Sequence, residues 1–346
     1  MEKPVYTFKT NLDWQLISLI SQIDRFDASW TSIERREKQN LKQLKSIATV
    51  RSVGASTRIE GSKLTDEEVD VLLKNIDVTK LEDRDSQEVV GYFEALDLIS
   101  ESYDDIQISA GDIKNLHNVL MRYSTKDEWH KGDYKQHSNA VEARYPDGTS
   151  QIIFQTTEPG YATENAMNNL IEWYNNEKAI HPLVRCSIFT YEFLTIHPFQ
   201  DGNGRLSRLL SALLLLKNGY KWIQYISFEH EIESRKLEYY KVLRNCQAQR
   251  PNENISDWVK FFFDALKNIQ EQLMQKLQIH KTEEQLLPRE KLAVNFIQNH
   301  PGCKSGEIVK GIGISRMIVI RLLSVLIEKN IVEKHGSGSG TQYTIK

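Results

Sequence analysis

The chain has 346 residues, 40% of them apolar, and a formal net charge of −3. This length predicts two domains, or one large domain with an appendage, and the apolar content is sufficient for a core. The near-neutral charge argues against a chain that binds nucleic acid or a membrane along its whole surface. The charge is uneven, however, because the segment from Arg289 onward carries 9 Lys/Arg and 4 Glu, or +5, which leaves −8 for the remainder.

The three cysteines, Cys186, Cys246 and Cys303, are far apart and lack the spacing of a metal site. We interpret them as thiols of a reducing compartment. The N-terminus has no apolar run typical of a signal peptide, and the apolar run at 209–216 is far shorter than the roughly 20 residues of a membrane span. We therefore expect a cytoplasmic protein that does not enter a membrane.

Apolar residues recur at helical spacing along most of the chain, which predicts a mainly α fold. The predicted helices cover 12–26, 29–53, 65–76, 82–103, 112–123, 162–178, 183–196, 203–217, 231–248 and 255–279. Between them, the turn residues Pro146-Asp147-Gly148 separate the alternating stretches "VEARY" and "SQIIFQ", which predicts a small β-hairpin. Gly219 is expected to end the helix at 203–217.

The last block, 288–346, follows a polar connector and reads as three short helices and a hairpin, the order of a winged helix-turn-helix. Arg316 and Arg321 on its third helix and Lys334 and His335 beside the wing would suit DNA. A docking or dimerisation module fits the same pattern, since most of the third helix is apolar. We expect three regions: 1–100, 101–280 and 288–346.

The segment "IHPFQDGNGRLSRLL", residues 196–210, places a base, an acid, a glycine turn and two arginines close together. Glycines allow the backbone to approach a ligand, and the first N–H groups of the following helix have no partner within it. Such a helix start favours phosphate. Arg205 and Arg208, three residues apart, are expected on one helix face, which indicates a polyphosphate.

Asp201 directly precedes this turn, and a carboxylate beside bound phosphates is a usual ligand of Mg²⁺. His197 carries an imidazole that titrates near neutrality, so it can take a proton from a hydroxyl. The combination predicts transfer from a nucleotide to a hydroxyl, with metal and arginines stabilising the leaving diphosphate. A lone histidine or a Gly-Asn-Gly turn is more often structural, but nine residue types are fixed here over twelve positions.

This pattern resembles the signature of the Fic family, HPFx(D/E)GNGRxxR, at every fixed position. Fic proteins typically transfer AMP from ATP to a Ser, Thr or Tyr hydroxyl of a target protein. The resemblance implies a Fic-type helical domain, with ATP and Mg²⁺ as cofactors and a target protein, or the chain itself, as partner. It also implies that His197 is the base and that Asp201 is the metal ligand. Gly202, Asn203 and Gly204 would form the anion nest, and Arg205 and Arg208 would hold the distal phosphates.

Further resemblances lie outside this segment. The hairpin at about 145–158 would be the family's flap, which docks the target backbone as an added strand. The flap residues Ile152, Ile153 and Phe154 would cover ATP, and "EYYKVL" nominates Tyr239 and Tyr240 for the adenine pocket. Aromatic residues in a helix are also commonly core.

The stretch "STRIEG", residues 56–61, resembles the family's inhibitory motif (S/T)xxxE(G/N), with Ser56, Glu60 and Gly61 at the fixed positions. By that resemblance Glu60 would pair with Arg208. An arginine tied to a carboxylate cannot also hold a γ-phosphate, and the carboxylate repels the triphosphate. The resemblance therefore implies an adenylyltransferase that inhibits itself; the plain alternative is a surface glutamate at a helix end.

Two other functions fit the same residues. A de-AMPylating enzyme would use Glu60 to position water, and a DNA-binding regulator would use the Fic-like domain only to sense a nucleotide. The sequence has no G-x-x-x-x-G-K-[ST] phosphate loop, and Arg205 stands where a phosphorylating branch of the family has lysine. A homodimer is compatible with the sequence.

Overall fold

The computed structural model describes the backbone of residue 10 and of residues 13–144, 150–284 and 286–346, and their side chains except those of 140–153, 278–284 and 339. The chain divides into two compact units, Met1–Gln272 and Leu273–Lys346. No helix in the described part is both long enough and apolar enough to cross a bilayer. The expectation of a mainly α fold with one small hairpin before the last block is confirmed.

The first unit holds ten complete helices, the start of an eleventh and one hairpin within its described residues. They are α1 (Trp14–Arg36), α2 (Lys38–Ile59), α3 (Asp66–Lys74), α4 (Arg84–Ser102), α5 (Ala110–Leu120), β1 (Ala140–Arg144), β2 (Ser150–Gln155), α6 (Tyr161–Asn176), α7 (Pro182–Ile196), α8 (Asn203–Lys217), α9 (Phe228–Ser234), α10 (Lys236–Gln247) and α11 (Ser256–Glu284). The boundary between the units falls within α11.

Helix α7 lies at the centre of the core, because every residue from Leu183 to Ile196 is buried. Helix α8 packs against α7, and it also contacts α2 and α4. Most residues of α8 are buried as well. This packing places the His197–Arg208 segment inside the unit instead of on a mobile surface loop.

Strands β1 and β2 form the predicted hairpin, with antiparallel pairing from Ala140 opposite Gln155 to Arg144 opposite Ser150. The register shifts between Val141 and Glu142, so the ladder contains an irregularity near its root. The predicted turn at Pro146-Asp147-Gly148 lies outside the described residues.

Two sequence-predicted helix boundaries are wrong. The expected break between 26 and 29 is absent, and α1 continues to Arg36, because Asp27, Ala28 and Ser29 contain neither glycine nor proline and fit a helix. The predicted helix at 231–248 is divided at Arg235, whose backbone leaves the helical region at φ −114° and ψ 26°. The Arg235 guanidinium lies 4.4 Å from the centre of the Phe261 ring, a packing contact that local periodicity does not reveal.

The second unit contains α12 (Pro288–Asn299), α13 (Ser305–Ile312), α14 (Arg316–Glu328), β3 (Val332–His335) and β4 (Gln342–Ile345). Its core is a separate apolar cluster that includes Ala293, Ile308 and Leu323, all nearly inaccessible to solvent. The order of three helices and a hairpin is therefore as predicted, while the winged-helix interpretation remains a prediction.

Candidate active site

The turn between α7 and α8 holds His197 in a left-handed backbone conformation, with φ 53° and ψ 60°. A residue other than glycine rarely adopts this region, and the cost is accepted at sites where a side chain must point in a set direction. Nδ1 of His197 lies 3.3 Å from the carbonyl oxygen of Leu194. Because a carbonyl oxygen can only accept, Nδ1 carries the hydrogen and Nε2 keeps a free lone pair.

The electrostatic surroundings keep this imidazole neutral. Burial, with a smaller contribution from the charge of Lys135, lowers the pKa of His197 to about 4 against the opposing effect of the Leu194 carbonyl. At neutral pH the ring is therefore ready to accept a proton through Nε2. This is the state that a general base requires.

The start of α8 has the geometry of an anion site. Gly202 occupies the N-cap position at φ 78°, and no side chain caps the first turn there. The N–H groups of that turn and the positive end of the helix dipole therefore face the cavity. The side chain of Asn203 braces the loop through Phe199: the Phe199 N–H donates to Asn203 Oδ1 at 2.9 Å, and Asn203 Nδ2 donates to the Phe199 carbonyl at 2.7 Å.

A cavity of about 230 Å³ opens at this helix start. It is lined by residues that the sequence nominated together with residues that it did not: Glu60, Leu194, His197, Gln200, Asp201, Gly202, Asn203, Gly204, Arg205, Arg208, Tyr239, Tyr240, Leu243, Arg244 and Gln247. One cavity is thus lined by all of these predicted groups: the base, the metal ligand, the anion nest, the two arginines, the adenine-pocket tyrosines and the inhibitory glutamate.

The segment 56–61, predicted to be inhibitory, reaches this cavity from the end of α2. Glu60 Oε1 lies 2.8 Å from Nη2 of Arg208. Ser56 holds the same guanidinium twice, since Nε donates to Ser56 Oγ at 2.7 Å and Nη2 donates to the Ser56 carbonyl at 3.0 Å. Burial is the largest single effect and favours neutral Arg208, but the Glu60 carboxylate and the nearby tyrosines together outweigh it and raise the pKa of Arg208.

Two glycines make this contact sterically feasible. Gly61 follows Glu60 at φ 114°, so the chain leaves α2 in a conformation that other residues rarely adopt. A β-carbon at Gly204 would collide with Oε1 of Glu60. The carboxylate therefore lies directly against the backbone of the anion nest, in the region where a phosphate would bind.

Arg205 has different partners from Arg208. Its side chain is 2% exposed, with Nη1 at 3.3 Å from Glu88 Oε1 and Nη2 at 3.6 Å from Asp201 Oδ2. Arg84 also contacts both carboxylates, at 2.7 Å and 3.6 Å respectively. The two arginines of the motif thus lie on the same cavity, yet one faces α2 and the other faces α4.

Asp201 is the predicted metal ligand, and its environment keeps it ionised. Burial opposes ionisation, but Arg205, the N–H of Gly202 and Arg84 together hold the pKa of Asp201 below its usual value. Within the described residues, no group of three His, Cys, Asp or Glu side chains is placed to hold a metal. One carboxylate still fits Mg²⁺, which commonly takes one or two carboxylates and completes its shell with substrate phosphates and water.

Two residues that shape this turn could not be found from the sequence pattern. His117 in α5 lies 3.0 Å from the Asp201 carbonyl through Nε2, accepts the Gly132 N–H at Nδ1 and stacks on Phe199 at 3.9 Å. Burial lowers the pKa of His117 to about 4, which keeps it neutral. Lys135 contacts the turn from the other side. Both precede the motif by more than sixty residues, so only the fold brings them together.

The residues predicted for the adenine pocket line the cavity, whereas Phe154, predicted for the flap, is not among the described residues that line it. Tyr239 and Tyr240 line the cavity with ring centres 5.2 Å apart, and Tyr239 also packs into the core against Trp258. Phe154 is half-buried on β2 and is not among the described cavity-lining residues. The backbone of Ile152 and Ile153 lies in β2, whereas their side chains lie outside the described residues.

The segment that carries the candidate site is also similar in sequence to known proteins. Residues 107–215 match the sequence model of the Fic/DOC family. This segment is similar to a Fic domain. The chain is similar to Protein adenylyltransferase fic-1 of Caenorhabditis elegans, with 30% identity over 146 residues, which cover 40% of this chain and 25% of that protein.

A bacterial relative shows the same limited extent. The Probable protein adenylyltransferase aq_aa38 of Aquifex aeolicus (strain VF5) is 29% identical over 154 residues, which cover 41% of this chain and 47% of that protein. The chain therefore spans only a quarter to a half of the length of these curated relatives.

Solved structures support the fold over a greater length than the Fic domain. A Fic family protein from Desulfovibrio desulfuricans G20 matches with a TM-score of 0.66 and 24% identity, covering 99% of this chain and 98% of that one. A Fic domain containing signaling protein from Bacteroides thetaiotaomicron VPI-5482 matches with a TM-score of 0.59 over 74% of this chain. At this identity the similarity concerns the fold alone.

Proposed function

We propose that the chain is a protein adenylyltransferase that transfers AMP from ATP to a Ser, Thr or Tyr hydroxyl of a target protein, and that Glu60 inhibits it. The observation that carries the proposal is the contact of Glu60 and Ser56 with Arg208 at the start of α8. An ordinary surface glutamate would not need a glycine on each side of its contact. Relatives named as protein adenylyltransferases support the same reaction.

The chemistry follows from the atoms present. Nε2 of His197 takes the proton of the target hydroxyl, whose oxygen then forms a bond to the α-phosphorus of ATP. The bond from that phosphorus to the bridging oxygen breaks, and diphosphate leaves. The N–H groups at the start of α8 and the guanidinium of Arg208 stabilise the phosphate charge. Asp201 would hold Mg²⁺, which neutralises charge on the leaving diphosphate when it is bound.

Inhibition follows from the position of one carboxylate. Glu60 Oε1 lies against Gly204 and binds the guanidinium that the γ-phosphate would need. Its negative charge also opposes a triphosphate at the same helix start. ATP would then bind in a pose in which the α-phosphorus does not face His197.

The test is labelling of the protein with ATP and Mg²⁺. We expect Glu60→Gly to raise self-labelling about tenfold to a hundredfold, because a hydrogen bond to a charged group contributes about 1.5–3 kcal/mol. The product should gain the mass of one AMP in mass spectrometry. Adding His197→Ala should abolish the gain. Glu82→Gly, which removes an exposed glutamate from a non-helical segment, is the matched control and should leave labelling unchanged.

The same experiment separates the alternatives. If Glu60→Gly abolishes removal of AMP from a modified protein and adds no label, the enzyme works in the reverse direction with Glu60 positioning water. If no variant adds or removes AMP while the protein binds nucleotide, the domain is a sensor and the proposal is wrong.

The partner of the second unit remains a sequence-based proposal. The exposed face of α14 combines Arg316 and Arg321 with Met317 and Ile320, which are 82% and 50% exposed. Arginines suit DNA phosphates, and apolar side chains suit a protein surface, a second copy of the chain included. Binding to duplex DNA that weakens steeply with salt would support the first, and salt-insensitive binding would oppose it.

A further inference from the structure

Lys135 is a buried cation with no part in the proposed chemistry. Its side chain is 1% exposed, and its ammonium group contacts three neutral acceptors. Nζ lies 2.9 Å from Asn139 Oδ1, 2.8 Å from Thr156 Oγ1 and 3.2 Å from the Ile196 carbonyl. An ammonium has three N–H donors, so each donor has one acceptor.

The three acceptors come from three separate places around the site. Asn139 directly precedes β1, and Thr156 directly follows β2, so the lysine joins the two strands at the root of the hairpin. Ile196 is the last residue of α7 and directly precedes His197. One ammonium group therefore ties both strands of the hairpin to the residue beside the candidate base.

Further bonds link the same two segments. The backbone N–H of Lys135 donates to the Pro198 carbonyl at 2.8 Å, and Asn139 Nδ2 donates to the Phe199 carbonyl at 2.9 Å. The segment before β1 thus runs beside residues 196–199 and is bonded to them at both Lys135 and Asn139. Relative movement of the hairpin and the turn would break several of these bonds at once.

Keeping a charge in this position is costly. Burial lowers the pKa of Lys135 to about 8, which shows that the site disfavours the charged form. The nearby neutral acceptors offset the loss of water only when all three are in place. A methionine would fill similar space without this cost but could not connect the three segments.

We propose that Lys135 is a positioning residue that fixes the hairpin relative to the imidazole of His197. This inference rests on the proposed function, in which the hairpin docks the target backbone and His197 deprotonates its hydroxyl. The docked hydroxyl must then reach Nε2 at hydrogen-bonding distance, and a misplacement of about 1 Å can cost about a hundredfold in rate.

The test uses the full chain carrying Glu60→Gly. We expect Lys135→Met to lower the self-labelling rate at saturating ATP by about tenfold to a hundredfold. The dissociation constant for ATP, measured by calorimetry, should stay within about twofold, because neither Lys135 nor Phe154 of the hairpin is among the described residues that line the cavity. Lys135→Arg, which retains charge and donors, should recover part of the rate. Lys126→Met, at an exposed lysine nearby, should change neither quantity.

A readout without catalysis separates this inference from the proposed function. Amide hydrogen exchange of peptides covering 140–144 and 150–155 should be faster in Lys135→Met than in its parent. Thr156→Val removes one acceptor while retaining the lysine, and should shift exchange in the same direction by a smaller amount. If Glu60→Gly labels nothing, the proposed function fails, yet the exchange data still test the placement of the hairpin. Unchanged exchange, or losses of labelling and ATP affinity in equal proportion, would overturn the role of Lys135.

Discussion

The two arginines at the start of α8 lie three residues apart and are both 2% exposed, but they face different regions of the molecule. On the α2 side, Arg208 is bound by Ser56 and Glu60, which belong to a segment at the end of a helix. On the α4 side, Arg205 lies among Glu88, Arg84 and Asp201. One arginine is held by a contact that a conformational change could release, and the other by a buried network of charges.

The difference lies in how much water each carboxylate partner retains. The Glu60 side chain is 31% exposed, so its carboxylate can leave Arg208 and remain solvated. The Glu88 side chain is 7% exposed, so it depends on its cations. A regulatory contact needs a partly exposed carboxylate such as that of Glu60. A fixed support for the predicted metal ligand needs a buried carboxylate such as that of Glu88. The comparison predicts that the same substitution at the two arginines affects different properties.

The largest effect on labelling is expected at Arg208. In the Glu60→Gly background, Arg208→Met should lower the labelling rate by about a hundredfold or more, because the leaving diphosphate loses a charged donor. The free energy of unfolding should change little in comparison, since that background leaves no buried carboxylate without a partner. Labelling kinetics and urea unfolding measure the two quantities. Retention of the parental rate would show that Arg208 does not bind the nucleotide.

The different partners of Arg205 and Arg208 could not be predicted from the sequence pattern. The motif at 197–208 was sufficient to predict which of its residues share one cavity, because adjacent residues in a turn stay adjacent in the fold. The contact of Glu60 with Arg208 was implied by the resemblance to the Fic family. The i, i+3 spacing of the arginines predicted one shared face and one shared role. Their separate partners depend on Glu88 and Ser56, which α4 and α2 bring in from far along the chain.

The same reason explains the other differences between prediction and structure. Helix existence followed from periodicity, and α8 has the predicted bounds 203–217. The Arg235 side chain at the helix break contacts Phe261, and His117 and Lys135 bind backbone carbonyls of Asp201 and Ile196. Every residue has a backbone carbonyl oxygen, whatever its side chain. A side chain that binds a backbone carbonyl therefore cannot be identified from residue types in the sequence.

The next largest effect is expected on stability, at Arg205. Arg205→Met should lower the free energy of unfolding by about 3 kcal/mol, the lower end for breaking a buried ion pair, because Arg84 stays 2.7 Å from Glu88. Adding Glu88→Gln should recover part of this loss, since the remaining carboxylate causes most of it. Urea unfolding is the measurement. A loss that Glu88→Gln leaves unchanged would show that packing, and not charge, makes Arg205 necessary.

The smallest effect is expected at Ser56. Ser56→Ala removes the acceptor of Arg208 Nε but leaves the Ser56 carbonyl and Glu60 in contact with Nη2. We expect the free energy of unfolding to fall by about 1 kcal/mol, because one buried donor loses its partner. Self-labelling should rise by much less than in Glu60→Gly, since the carboxylate still occupies the anion nest. Ser52→Ala, which removes the bond to Ser227 one turn earlier in α2, controls for a general loosening of that helix. If Ser56→Ala raises self-labelling as strongly as Glu60→Gly, the Ser56 hydroxyl and not the Glu60 carboxylate keeps Arg208 from the nucleotide. The difference between Arg208 and Arg205 would then have another cause than the solvation of Glu60.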